Sequence, residues 1–185
     1  RRDPRVVTHA SGPTRGNPLL IEHALAWVGL VCALAAYAGL RSGEVRALQV
    51  GEVSLKRGEI HVCRAISADE VSTTKSDQDR IVPISPELRP MLVRACKGKR
   101  ARDLVVVTET GTTPMRQTIL NRVKRVQDPH GLRAHSFHSL RHYFCSALID
   151  RGIPVPVVQR AAGHSDLKTT QRYVHALRSL DAIWG

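Results

Sequence analysis

Residues 24–40 read ALAWVGLVCALAAYAGL, a run without a single charged side chain. Such a run has three readings. As a membrane span it is short, since about 20 apolar residues are needed to cross a bilayer, and it is rich in Ala and Gly rather than Leu and Ile. As a signal peptide it has a basic stretch before it and AYAG as a small-residue cleavage site. Cleavage there, however, would leave Arg41 at a new N-terminus without packing support. As a helix buried on most sides the run needs no further explanation. Asn17 offers the N-cap, Pro18 the first helical position and Gly39 the stop. The reading predicts a central core helix ending at Gly39.

Around this helix the chain has 185 residues and 42% apolar content, enough for one domain with a real core. Lys and Arg number 28 against 16 Asp and Glu, a formal charge of +12 that favours a polyanionic partner, nucleic acid before others. Charge alone fits a merely solubilising surface equally well. Aromatic residues are only 4%, which argues against a stacking platform for single strands and for contact with a duplex backbone. Cys32, Cys63, Cys96 and Cys145 are far apart with no C-x-x-C pair. That excludes a zinc ribbon or a dense disulfide frame and points to buried thiols in a reducing cytoplasm.

Residues 1–16 carry Pro, Gly and four arginines without apolar period and read as a linker or tail. A short helix is predicted from Ser42, carrying Glu44, Val45 and Leu48. Strand-like runs follow at 50–55, 59–65 and 80–84. Lys75 lies in the polar connection between the last two, on a hairpin tip. Ser85-Pro86 opens a helix to about Cys96, and residues 104–108 (LVVVT) are a strand or an extended piece. Further helices are predicted from Pro114 to Gln127 with a basic face of Arg116, Arg122, Lys124 and Arg125, from His138 to Arg151, and from Val155 to Ala162. Gly152 and Gly163 stop the last two, and Ser165 caps a final helix carrying Tyr173. The sum is an α+β fold, mostly helical around one small three-stranded antiparallel sheet.

Chemistry-bearing residues are strung along this frame: Arg41 in GLRSGE, Lys75 in TKSDQDRIVPI, His138 and Arg141 in HSLRH, His164 in GHSD and Tyr173 in TTQRY. Two arginines, two histidines and a lysine supply the donors and positive charge that a phosphodiester under attack needs. A tyrosine nearby supplies a nucleophile. His138 and Arg141, three apart on a helix, project from one face toward a common point. His142, four after His138, invites a zinc reading, but the metalloprotease pattern needs Glu where Ser139 stands. It reads instead as a packed, hydrogen-bonded helper. Arg41 and Glu44, taken alone, would be a surface ion pair of little value. Tyr37 lies in the buried run and Tyr143 on the HSLRH helix, whereas Tyr173 is flanked by Gln171 and Arg172. A phenol has a free pKa near 10, so a cationic field would help it attack at neutral pH.

The order and spacing of these boxes, from about Leu20 to Tyr173, resemble the catalytic domain of the tyrosine recombinases, the phage integrase family. The resemblance implies that fold over 17–185, with a C-terminal tail from about residue 174. It implies that Tyr173 attacks the scissile phosphate of double-stranded DNA, forming a 3′-phosphotyrosyl link and releasing a 5′-hydroxyl. Arg41, Arg141 and His164 would stabilise the transition-state charge, His138 accept the tyrosine proton and Lys75 protonate the leaving oxygen. Lys75 is singled out by the resemblance alone, and GLRSGE makes Glu44 an orienting carboxylate. No metal, cofactor or ATP is implied. The partners implied are duplex DNA and further copies of the chain, a tetramer on DNA, with no membrane. Rival readings are a type IB topoisomerase, which shares a similar residue set, and a non-catalytic DNA-binding homologue. Two departures stand out: Ala161-Ala162 replaces the bulky Leu frequent in similar proteins, predicting looser packing, and the chain begins without the helical core-binding domain that members place upstream. The latter implies a fragment, or a protein that needs a partner. Leu177, Leu180 and Trp184 form an apolar face that either packs on its own domain or is exchanged with a neighbouring protomer.

Overall fold

The computed structural model describes residues 26–67, 70–73, 79–127 and 137–163. Helix α1 (Ala26–Ala38) buries 11 of its 13 residues, which makes it the centre of the core rather than a surface helix. No helix among the described residues is long and apolar enough to cross a membrane. The start expected at Asn17 lies outside the described residues. The end is at Gly39, whose φ of +64° is left-handed. A Cβ there would collide with the ring of Phe144. Gly39 therefore both stops the helix and seats an aromatic ring against it.

After the turn come α2 (Ser42–Ala47) and a single 3₁₀ turn at Val50–Glu52. The core sheet is β1 (Val53–Ser54), β2 (Glu59–Val62) and β5 (Arg80–Pro83), antiparallel in the order β1-β2-β5. Registers pair Ile60 with both Val53 and Val82, and Val62 with Arg80. Ile60, Val62 and Val82 face inward with Arg80, while His61 and Ile81 face solvent.

Two expectations need correction here. The strand-like run at 50–55 is mostly the 3₁₀ turn, leaving a two-residue strand. The run at 59–65 is broken at Cys63, and its second half, β3 (Arg64–Ser67), pairs with an unanticipated β4 (Glu70–Thr73) in a separate two-stranded sheet. That hairpin rests on α2, not on the main core: a Cβ on Gly43 would stand 2.6 Å from the Ile66 carbonyl oxygen. A strand reading EVST carries little apolar alternation to detect. Lys75, expected on a hairpin tip, lies outside the described residues.

Ser85 organises the next helix, its Oγ accepting from the Leu88 amide and its carbonyl from the Arg89 amide, ahead of α3 (Arg89–Cys96). Residues 104–108 are an extended piece: Leu104 bridges Gln49, and Val105 donates to the Leu48 carbonyl at 2.9 Å. Helix α4 (Arg116–Gln127) turns Ile119 and Val123 into the core, and α5 (Phe137–Asp150) lies along α1. Helix α6 (Val155–Ala162) ends at Gly163, with φ of +65°. All four cysteines are free; Cys32 and Cys145 are buried, and Cys63 and Cys96 are half-buried. Burial pushes the Cys32 thiol up to about 12.

Candidate functional site

The site grows from the end of α6. The last carbonyls of a helix lack intrahelical partners and carry the negative end of its dipole. Here three consecutive ones each accept from a different arginine. Arg80 Nε donates to Ala161 O at 2.8 Å, Arg141 Nη2 donates to Ala162 O, and Arg41 Nη2 donates to Gly163 O. Arg141 Nη1 also donates to Gly39 O, tying the end of α1 to the end of α6. Gly163 permits this crowding, since a Cβ there would stand 2.9 Å from Arg80 Nη1. Of the Ala161-Ala162 pair, Ala162 is wholly buried. The small side chains let the arginines reach the backbone. Ala161, half-buried, lines an apolar groove with Ile81, Tyr143 and Val157.

One carboxylate sits among these cations. Glu44 Oε2 accepts from the Arg41 backbone amide at 2.7 Å, the reach-back of an acidic residue in the first turn of a helix. Its Oε1 accepts from Arg41 Nη1 at 3.2 Å. Arg80 takes both oxygens in a fork, Nη1 to Oε1 at 2.9 Å and Nη2 to Oε2 at 2.8 Å. Burial alone would push the Glu44 carboxyl up, but the hydrogen bonds and charges of Arg80 and Arg41 outweigh it and hold the group below the usual carboxylate range. Burial, reinforced by the like charges of Arg41 and Arg80, pushes the Arg141 guanidinium down to about 10, so it stays charged at neutral pH.

Arg41, Ser42, Arg116, His138 and Arg141 line one cleft of about 330 Å³. His138, in the first turn of α5, is exposed at this cleft. His142 stands one turn on, its ring edge-on to that of His138 with centroids 4.3 Å apart. Burial, then His138 and Arg141, lower the His142 pKa, so its imidazole is neutral at pH 7. Among the described residues no group of His, Cys, Asp and Glu is arranged to hold a metal ion. The arrangement can hold an anion against two guanidiniums beside a base.

Of the sequence-derived candidates, the fold brings together Arg41, Glu44, His138, Arg141 and His142. Lys75, His164 and Tyr173 lie outside the described residues. His164 follows Gly163 directly in the chain, beyond the carbonyl held by Arg41. Sequence reasoning missed Arg80 and left Arg116 as one of several basic residues on α4. A signal for Arg80 existed in RIVP, where alternation with Val82 puts a charge at an inward position that demands a carboxylate. No local pattern marked Arg116, because its place depends on how α4 docks.

The family model for the phage integrase family matches residues 17–179. Tyrosine recombinase XerD of Ralstonia nicotianae is 34% identical over 148 residues, covering 76% of this chain and 45% of that protein. Tyrosine recombinase XerA of Saccharolobus solfataricus is 31% identical over 146 residues, covering 79% of this chain and 45% of that protein. The chain thus spans about half the length of the curated relatives it matches. Among solved structures, the Tn1549 transposon integrase in complex with circular intermediate DNA superposes with a TM-score of 0.76 at 16% identity, over 88% of this chain and 61% of that one. The XerA recombinase crystal structure gives 0.72 at 24% identity, over 97% and 65%. The mostly helical architecture with a small antiparallel sheet is that of the tyrosine recombinase catalytic domain, and with the family match spanning both the arginine cluster and the HSLRH helix, the chain belongs to the phage integrase family.

Proposed function

We propose that the chain cleaves and rejoins duplex DNA as the catalytic part of a site-specific recombinase or integrase. The observation that carries this reading is the meeting of Arg41, His138 and Arg141 on one cleft, from helices about a hundred residues apart in sequence. Two guanidiniums suit the two non-bridging oxygens of a phosphodiester, whose charge rises as the fifth bond forms. Tyr173 Oη attacks phosphorus and gives its proton to His138. The bond from phosphorus to the 5′-oxygen breaks, and Lys75 protonates that oxygen, while His164 adds a donor to the phosphoryl oxygens. A 3′-phosphotyrosyl link remains, and a 5′-hydroxyl from a partner strand reverses the step without ATP, metal or cofactor.

The partner is double-stranded DNA, held mainly through its phosphates by a chain of net charge +12. On DNA the chain works with further copies of itself, in the cytoplasm. Relatives named as recombinases support this reading over a type IB topoisomerase.

The test is a nicked suicide duplex carrying the relatives' type of site, scored for a denaturant-stable protein–DNA adduct. The adduct is expected to map to Tyr173 and to vanish in Tyr173→Phe. Relaxation of supercoiled plasmid with no site preference would favour the topoisomerase. Tight DNA binding without adduct would favour the non-catalytic homologue.

A further inference from the structure

Three guanidiniums, from Arg41, Arg80 and Arg141, surround the single Glu44 carboxylate, an excess of two formal positive charges. Which cation the carboxylate neutralises decides how much positive charge faces the cleft. The geometry is unequal. Arg80 grips both Glu44 oxygens, with side chains only 4% and 1% exposed. Arg41 meets one oxygen at the longer 3.2 Å, and its side chain is 37% exposed on the cleft. Low dielectric strengthens the buried pair far more than the half-exposed one.

We propose that Arg80 is a positioning residue for strand cleavage: by neutralising Glu44 it leaves the charge of Arg41 available to the scissile phosphate. This rests on the phosphoryl-transfer reading above. Arg80 itself is no phosphate ligand. Its fork is occupied by Glu44, its Nε is held by Ala161 O, and its side chain is buried on the inward face of β5. Without Arg80, Glu44 would have Arg41 as its nearest cation, on the same helix turn and already fixed to it through the backbone amide. The ion pair that the two already share at 3.2 Å would then take the whole carboxylate charge and offset the charge that the transition state requires. Glu44 is kept because it holds the Arg41 backbone, so a counter-charge is needed beside it.

A double-mutant cycle with one added variant tests this with five proteins: the unaltered chain, Arg80→Met, Glu44→Gln, the two combined, and Arg80→Lys. Each is given saturating nicked suicide duplex, and the rate of adduct formation, the Kd for uncleaved duplex and the melting temperature are measured. Arg80→Met should slow adduct formation by roughly 100-fold, the scale on which lost oxyanion donors act, with duplex Kd little changed. Adding Glu44→Gln should restore about a tenfold gain over Arg80→Met, because the unwanted counter-charge is gone and the amide oxygen still accepts from Arg41. Arg80→Lys, which keeps the charge but not the fork, should stay well above Arg80→Met. A purely structural Arg80 predicts the opposite order, with the double variant no faster than Arg80→Met and Arg80→Lys equally impaired, and that result overturns the proposal. So does failure of both Arg80 variants to fold. An unaltered chain that forms no Tyr173 adduct sinks the phosphoryl-transfer reading, and this proposal with it.

Discussion

Arg141 on α5 donates to the carbonyl of Gly39, the residue that ends α1, across 102 positions of sequence. The same guanidinium holds Ala162 O at the end of α6, so one side chain ties three helices at the cleft. Its removal acts on fold and site together. Arg141→Ala leaves two buried carbonyls without these donors, at about 1–3 kcal/mol each. We expect a urea midpoint lowered by an equivalent of about 3 kcal/mol and loss of adduct formation. Arg141→Lys should recover part of the stability but little activity, since an ammonium cannot span two diverging carbonyls and still face a phosphate. Full activity in the lysine variant would contradict this.

Gly163 and Gly152 form a matched pair. Both have positive φ, +65° and +76°, but a Cβ on Gly152 meets nothing within 4 Å, whereas one on Gly163 meets the Arg80 guanidinium. Gly152→Ala should cost only the left-handed backbone penalty of about 1–2 kcal/mol and leave DNA cleavage intact. Gly163→Ala should cost more and also slow cleavage, because Arg80 must move off Ala161 and Glu44. Equal thermal shifts in the two variants would contradict the crowding at Gly163.

The difference between Arg41 and Arg80 shows what a sequence exposes. Arg41 and Glu44 are three apart on one helix turn, and His138 and Arg141 three apart on another, so helical period alone pairs them. The central helix was legible because residues 24–40 lack charge and carry the stop signal Gly39. Arg80 faces inward because β5 pairs with β2 in the register that sets Arg80 opposite Val62. Alternation with Val82 hints at that inward face locally, but its partner Glu44, 36 residues away, is a non-local fact, unreadable until β5 and α2 are placed. The β3–β4 hairpin was hidden for a related reason: its support is α2 and not the main core, so no long apolar alternation was needed.

Glu44 sets an acid limit. Its folded pKa lies below the ordinary 4.5, so the folded state binds its proton less readily than the unfolded chain. Its contribution to stability is therefore present above about pH 4.5 and is lost as pH falls through the folded value. Glu44→Gln should flatten the stability profile over that acid window while lowering stability at pH 7, where Arg80 is left as a buried charge lacking its counter-ion. Urea unfolding from pH 3 to 7 reads both effects. An unaltered acid slope in the variant would assign it to other carboxylates.

His142 makes a second, milder window. Its folded pKa is depressed below 6.5 by burial first, then by His138 and Arg141, so the unfolded chain takes up its proton at a higher pH than the folded one. The stability it confers is complete above about pH 6.5 and declines as acid passes through the folded pKa. The edge-on ring contact carries a functional consequence as well: charging His142 would set a cation against His138 and oppose the proton that His138 accepts in the proposed mechanism. Adduct formation should fall on acidification, and His142→Phe, which keeps a ring there without a titrating group, should make that fall shallower. Proton NMR of the histidine C2 resonances gives the order directly, with His142 expected to titrate at lower pH than a free imidazole. A His142 resonance titrating at or above 6.5, or an unchanged pH profile in His142→Phe, would remove His142 from any part in setting the state of His138.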